Sequence, residues 1–243
     1  MEEDRRLDRY RELRRTNPEL FAEPEPADGA IEIVLDPAEA EAAEAAAAAR
    51  LAATGQPAAW ARTGVVFEDQ YGTTIRDPVR MPDGGLGTYI RRVNTGNAPG
   101  VVVLPVLDGQ VLLLRHFRHP TRQWHLELPR GFGTPGRSPA ENARRELREE
   151  IGAAAGDLVD LGIIYPDTGV SGTPVQLYLT GIAEYGEPDI GEGITGVELV
   201  PPDRLGELIA TGEITDGYTI NAYARAVLRG HLPLPRPDPR RTA

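Results

Sequence analysis

Residues 131–153 read GFGTPGRSPAENARRELREEIGA, and this stretch constrains the chain more than any other. A coil kinked by glycine and proline runs straight into a short helix. Ser138 stands at the N-cap, Pro139 at the first helical position and Glu141 three residues after the cap, which makes a capping box. Gly152 supplies the C-terminal stop. Between them Glu146 and Glu150, four apart, share one face, with Glu149 beside them. Three carboxylates packed this closely repel one another unless a cation sits among them. Hard oxygen ligands suit Mg²⁺ or Mn²⁺, which take one or two carboxylates along with waters and substrate phosphates. The plainer alternative is a solvated helix face held by Arg–Glu pairs worth about 0.2–0.5 kcal/mol each.

The rest of the chain bounds what that helix can serve. With 243 residues and 40% apolar content, the chain can bury a core of ordinary size and carry an extension. A net charge of −11 argues against a nucleic-acid partner, which calls for a basic face. The absence of cysteine removes disulfides and thiolate metal sites and fits a reducing compartment. The opening MEEDRRLDRYRELRR is charged throughout, so no secretory leader is expected. No run reaches the ~18 apolar residues that span a bilayer. A cytoplasmic protein with no membrane partner is the expectation.

Residues 1–62 read as an accessory, helical N-terminal extension. Leu7, Tyr10 and Leu13 recur at helical spacing, residues 31–35 are β-like, and Asp36 with Pro37 caps an Ala/Glu-rich helix that runs to about residue 53. From residue 63 short strands are expected at 65–67, 73–75 and 87–90. The clearest hairpin joins 100–107 to 110–117 through Asp108-Gly109, a type I′ turn. Further strands are expected at 125–128, 158–164, 175–182 and 196–200, with closing helices at 202–210 and 218–228. Residues 231–243 read as a flexible tail rich in proline and arginine. Many short strands, one helix midway and helices at the end describe an α+β fold.

Gly131, Arg145-Glu146-Leu147, Glu149-Glu150 and Gly152 fall in the register of the Nudix box, which this stretch resembles. One position departs: Arg137 stands where the box has its first glutamate. Residues 115–118, Trp124, Glu127-Leu128-Pro129 and residues 212–224 are similar to the corresponding parts of ADP-ribose and other ADP-sugar pyrophosphatases. The resemblance implies a Nudix α/β/α sandwich with a mixed sheet over residues 63–230. It also implies hydrolysis of the diphosphate in a nucleotide-linked small molecule by water that a metal activates.

The same resemblance assigns roles. Glu146, Glu150 and Glu149 are the implied metal ligands, joined by the backbone carbonyl of Arg130. Glu149 is also implied to orient water. Glu192, in a late loop, is the candidate general base, with Glu198 a weaker one. Arg118 is the implied phosphate contact, and Arg115 is a further substrate-binding candidate. Arg92 matches a family residue that reaches the nucleotide across a homodimer, and Asp167 is the candidate to replace an acid that its loop otherwise lacks. A glutamate at 137 would brace Arg145. Arg137 is expected to repel it instead, by about 1 kcal/mol at ~4 Å in water, unless Glu141 or Glu149 takes over the bracing. The rival reading is a catalytically impaired module that binds or senses a nucleotide or sugar phosphate. His116, His119 and His125 lack the spacing of a zinc site.

Overall fold

The computed structural model describes residues 2–23, 29–94, 96 and 98–233. Most of the expected flexible tail therefore lies outside the described residues. The chain divides into two compact units, Met1–Thr95 with Asp167–Thr173, and Gly96–Pro166 with Pro174–Ala243. No helix among the described residues is long and apolar enough to cross a membrane.

The first unit is built on an antiparallel sheet of four strands. These are β1 (Glu32–Ile33), β2 (Gly64–Asp69), β3 (Gly72–Arg80) and β4 (Leu86–Val93), with β3 at the centre, pairing with each of the other three. Helix α1 (Glu2–Thr16) brings Tyr10 and Leu13 into a core with Phe21, Ile75 and Val93, so the helical spacing of its apolar residues is a packing stripe. Tyr10 donates a hydrogen bond of 2.5 Å to the buried Asp77, whose other oxygen pairs with Arg91 at 2.6 Å. Helix α2 (Pro37–Ala53) starts where Asp36 accepts from the Glu39 N–H at 3.0 Å. The segment Asp167–Thr173 lies along β4, with Arg92 N donating to Val170 O at 2.7 Å and Gly172 N to Arg92 O at 3.1 Å.

The second unit is a mixed sheet between helices, the layering expected from the sequence. Its strands are β5 (Gly100–Leu107), β6 (Gln110–Arg118), β7 (Gln123–Glu127), β8 (Arg130–Gly131), β9 (Leu158–Ile164), β10 (Val175–Gly181) and β11 (Ile194–Val200). The central order is β11-β6-β5-β10-β9, with β5 and β10 parallel and the other pairs antiparallel. The β5–β6 turn has Asp108 at φ 50° and Gly109 at φ 78°, both positive as a type I′ turn requires.

The strands at the centre are apolar on both faces because both are covered. Val101, Val103, Leu112 and Leu114 pack with Ala143, Leu147 and Ile151 of helix α3 (Pro139–Ile151). Val102, Leu104, Val111 and Leu113 face helices α4 (Pro202–Thr211) and α5 (Gly217–Leu228), through Leu205, Ala222 and Ala226. This alternation decides which side chains of β6 and β7 can share a face with α3.

Candidate active site

Helix α3 is fixed at both ends by its own sequence. Ser138 Oγ accepts from the Glu141 N–H at 3.2 Å, and Glu141 Oε2 accepts from the Ser138 N–H at 2.7 Å. Gly152 ends the helix at φ 64°, a left-handed conformation that costs glycine little. The helix therefore presents Glu146 and Glu150 in a defined direction, and both are buried, at 5% and 1% exposure.

The loop before the helix touches these carboxylates directly. The backbone N–H of Arg130 donates to Glu150 Oε2 at 3.0 Å. Gly131 passes so close to Glu146 that an added Cβ would stand 2.1 Å from its carboxyl carbon. Only glycine lets the strand approach the acid this closely.

Two buried carboxylates on one face are hard to ionise together. Burial pushes Glu146 up to about 7, against the pull of Arg145, and Glu149 and Glu192 push it further. Burial likewise pushes Glu150 up to about 8, with Glu146 and Glu192 adding to it and the Arg130 N–H and Arg118 opposing it. Such a pair, lined on one side by a glycine backbone, fits a hard dication, which would favour both ionised forms. The third carboxylate is more exposed, though its charge still acts on Glu146. Glu149, with its side chain 49% exposed, pairs with Arg145 Nη1 at 2.6 Å. Among the described residues no three His, Asp or Glu side chains already stand in an arrangement that could hold a metal.

Arg137 is exposed, and Arg145 finds its partners elsewhere. Its Nη2 contacts Glu146 Oε1 at 2.5 Å and the Phe132 carbonyl at 3.2 Å, while Nη1 holds Glu149. Glu149, not Glu141, thus does part of the bracing; Glu141 serves the cap. The Nε of Arg145 is buried with no acceptor.

Beside the acids lies a network that the sequence did not disclose. Glu127 is fully buried and takes both Nε (2.6 Å) and Nη2 of Arg118 on Oε1, and Arg130 Nη2 on Oε2 at 3.0 Å. His116 Nδ1 lies 3.2 Å from Glu127 Oε1. Burial works to raise the Glu127 carboxyl, but His116, Arg130 and Arg118 together hold it below its ordinary value. Arg130 also donates to Asp216 Oδ1 at 2.7 Å and lies over the Tyr218 ring at 4.7 Å. Asp216 caps α5 through the Thr219 N–H at 2.9 Å. A Glu between two leucines in a strand was the available signal for this network.

The other candidates divide by place. Glu192 sits in the turn Ile190–Glu192, exposed, and close enough for its charge to act on Glu146 and Glu150. Arg118 shares the α3 face with His116 and Glu127 through the alternation of β6 and β7. Arg115 points the other way and stands over Trp124, 5.8 Å from the ring centroid, so the fold does not bring it to the acids. Glu198, opposite Leu113, is on that far face as well. Arg92 and Asp167 belong to the first unit, where the Asp167 carboxylate accepts from the Gly169 N–H at 3.0 Å.

Residues 96–223 match the NUDIX domain family. The ADP-ribose pyrophosphatase of Mycobacterium tuberculosis (strain ATCC 25618 / H37Rv) is 38% identical over 178 residues, covering 70% of this chain and 72% of that protein. The ADP-ribose pyrophosphatase of Bacillus subtilis (strain 168) is 29% identical over 153 residues, covering 61% and 80%. A crystal structure of an ADP compounds hydrolase superposes with a TM-score of 0.60 at 22% identity, over 70% of this chain and 92% of that one, which speaks for the fold.

Proposed function

The chain belongs to the Nudix family, and we propose that it hydrolyses the diphosphate of an ADP-ribose-type nucleotide sugar, releasing a nucleoside monophosphate and a sugar phosphate. The observation that carries this reading is the buried Glu146–Glu150 pair against the backbone of Arg130 and Gly131. The relatives named for ADP-ribose support the substrate class.

A divalent ion, Mg²⁺ or Mn²⁺, would be held by Glu146 and Glu150, with the Arg130 carbonyl as a further ligand; when bound it would neutralise the diphosphate and make the attacking water more acidic. The protein's own groups do the rest. The Arg130 N–H aims Glu150. Glu192 is the candidate to accept the proton from the water whose oxygen attacks phosphorus, while the bridging oxygen leaves on the second phosphate. Arg118 is fastened to Glu127 through Nε and Nη2, and its remaining Nη1 is proposed to meet a phosphate. Arg92 and Asp167 are proposed to meet substrate in a cytoplasmic homodimer, with residues 63–230 as the catalytic domain.

Turnover of ADP-ribose and a panel of nucleotide sugars with Mg²⁺ or Mn²⁺, with products separated by chromatography, tests this reading. AMP and ribose phosphate from the wild type, and none from Glu146→Gln/Glu150→Gln, support it. Binding of ADP-ribose without turnover by the wild type would put the sensing module in its place.

A further inference from the structure

The first unit holds a cavity of about 450 Å³ of its own. Ala47, Arg50 and Leu51 of α2 form one wall, Trp60 stands in the turn that follows, and Arg76 and Thr88 come from β3 and β4. We propose that this cavity binds a small anion carrying a flat aromatic ring, for which a nucleoside monophosphate is the simplest probe.

Two of the lining residues are arginines with no acidic partner among the described residues. Arg50 makes one hydrogen bond, to the Leu86 carbonyl at 2.9 Å, and Arg76 one long bond, to the Arg62 carbonyl at 3.4 Å. Neither has a carboxylate within ion-pair distance among the described residues. Arg76 is partly buried, and burial, then the Arg6 charge, weaken its hold on its proton. Glu44 acts on Arg76 at longer range, but its Oε2 is taken by the Thr63 N–H at 2.7 Å and hydroxyl at 2.9 Å. The Nε of Arg6 is itself buried with no acceptor.

A partly buried guanidinium normally has an anion beside it. In a chain with 37 acidic residues against 26 basic ones, a concave spot lined by two arginines and by no acid suits an anion from outside. The unused guanidinium N–H groups match phosphate or carboxylate oxygens. Trp60, 58% exposed, offers an indole for a ring to stack on, and Ala47 and Leu51 give that ring an apolar floor. The volume falls in the range of about 300–1,000 Å³ usual for small-molecule sites. Gly87 contributes by absence, since a Cβ there would lie 2.6 Å from Arg50 Nη2 and push the guanidinium off the wall.

The chain has two tryptophans, so Trp124→Phe leaves Trp60 as the reporter in the full-length protein. Titrate this variant with AMP, inorganic phosphate and adenosine in the presence of chelator, and repeat on a Glu150→Gln background. The proposal predicts saturable quenching by AMP, the same on both backgrounds. Phosphate and adenosine should each bind at least about tenfold more weakly, and Arg76→Gln or Arg50→Gln should weaken AMP by about tenfold. Arg50 is exposed, so its variant keeps the test readable if Arg76→Gln fails to fold. No response to AMP up to ~10 mM, or quenching that survives both arginine substitutions, overturns the proposal. So does Trp60 emission that shifts with protein concentration alone, which would mean that a second copy fills the cavity.

Discussion

Arg145 holds Glu146 through a contact of 2.5 Å from Nη2 to Oε1, while its own buried Nε has no acceptor. A side-chain cation thus occupies part of the acidic centre that a dication would use. The two compete for the same oxygen. Arg145→Gln is therefore expected to tighten Mn²⁺ binding by about tenfold, measured by calorimetry. Weaker binding in that variant would mean that Arg145 aims the carboxylates more than it shields them.

The pH response of the metal-free protein follows from the same pair. Glu146 and Glu150 hold their protons more tightly folded than unfolded, to about 7 and about 8. The unfolded chain gives up these protons first as pH rises. Stability from this source is complete below about pH 4.5 and falls as pH climbs to about 8. Melting curves in chelator should show the decline, and Glu150→Gln should flatten it.

Glu127 is fully buried and pairs with both Arg118 and Arg130, with His116 beside it, so removing it leaves two partly buried guanidiniums without that partner. Glu127→Ala should cost on the order of 3–5 kcal/mol in denaturant unfolding. Glu127→Gln, which keeps the shape and some of the hydrogen bonds, should cost less.

Gly131→Ala places a methyl group 2.1 Å from the Glu146 carboxyl. Either the strand or the acid must move. The expected outcome is a loss of about 1–3 kcal/mol in stability together with weaker Mn²⁺ binding. Unchanged metal affinity would show that Glu146 can turn aside without consequence.

Local chemistry was legible in the sequence and distant pairing was not. The caps at Ser138 and Gly152 and the Asp108-Gly109 turn are decided by residues within a few positions, and each formed as read. Arg130 meets Asp216 across 86 positions, which no local pattern announces. The direction of Arg115 depends on the pleat of β6, so its nearness to Arg118 in sequence put it on the opposite face. Glu149 sits beside Glu146 and Glu150 in sequence, yet its side chain is 49% exposed where theirs are buried, and it pairs with Arg145. The register of Asp167–Thr173 along β4 is likewise set by a pairing about 80 positions long.

The central claim is that Glu146 and Glu150 hold a dication against a diphosphate. Mn²⁺ binding measured by electron paramagnetic resonance, with and without a non-hydrolysable methylene analogue of ADP-ribose, tests it most directly. The wild type should bind Mn²⁺ saturably and more tightly with the analogue present, and Glu146→Gln/Glu150→Gln should lose both effects. Equal Mn²⁺ binding by the wild type and the double variant would contradict the account.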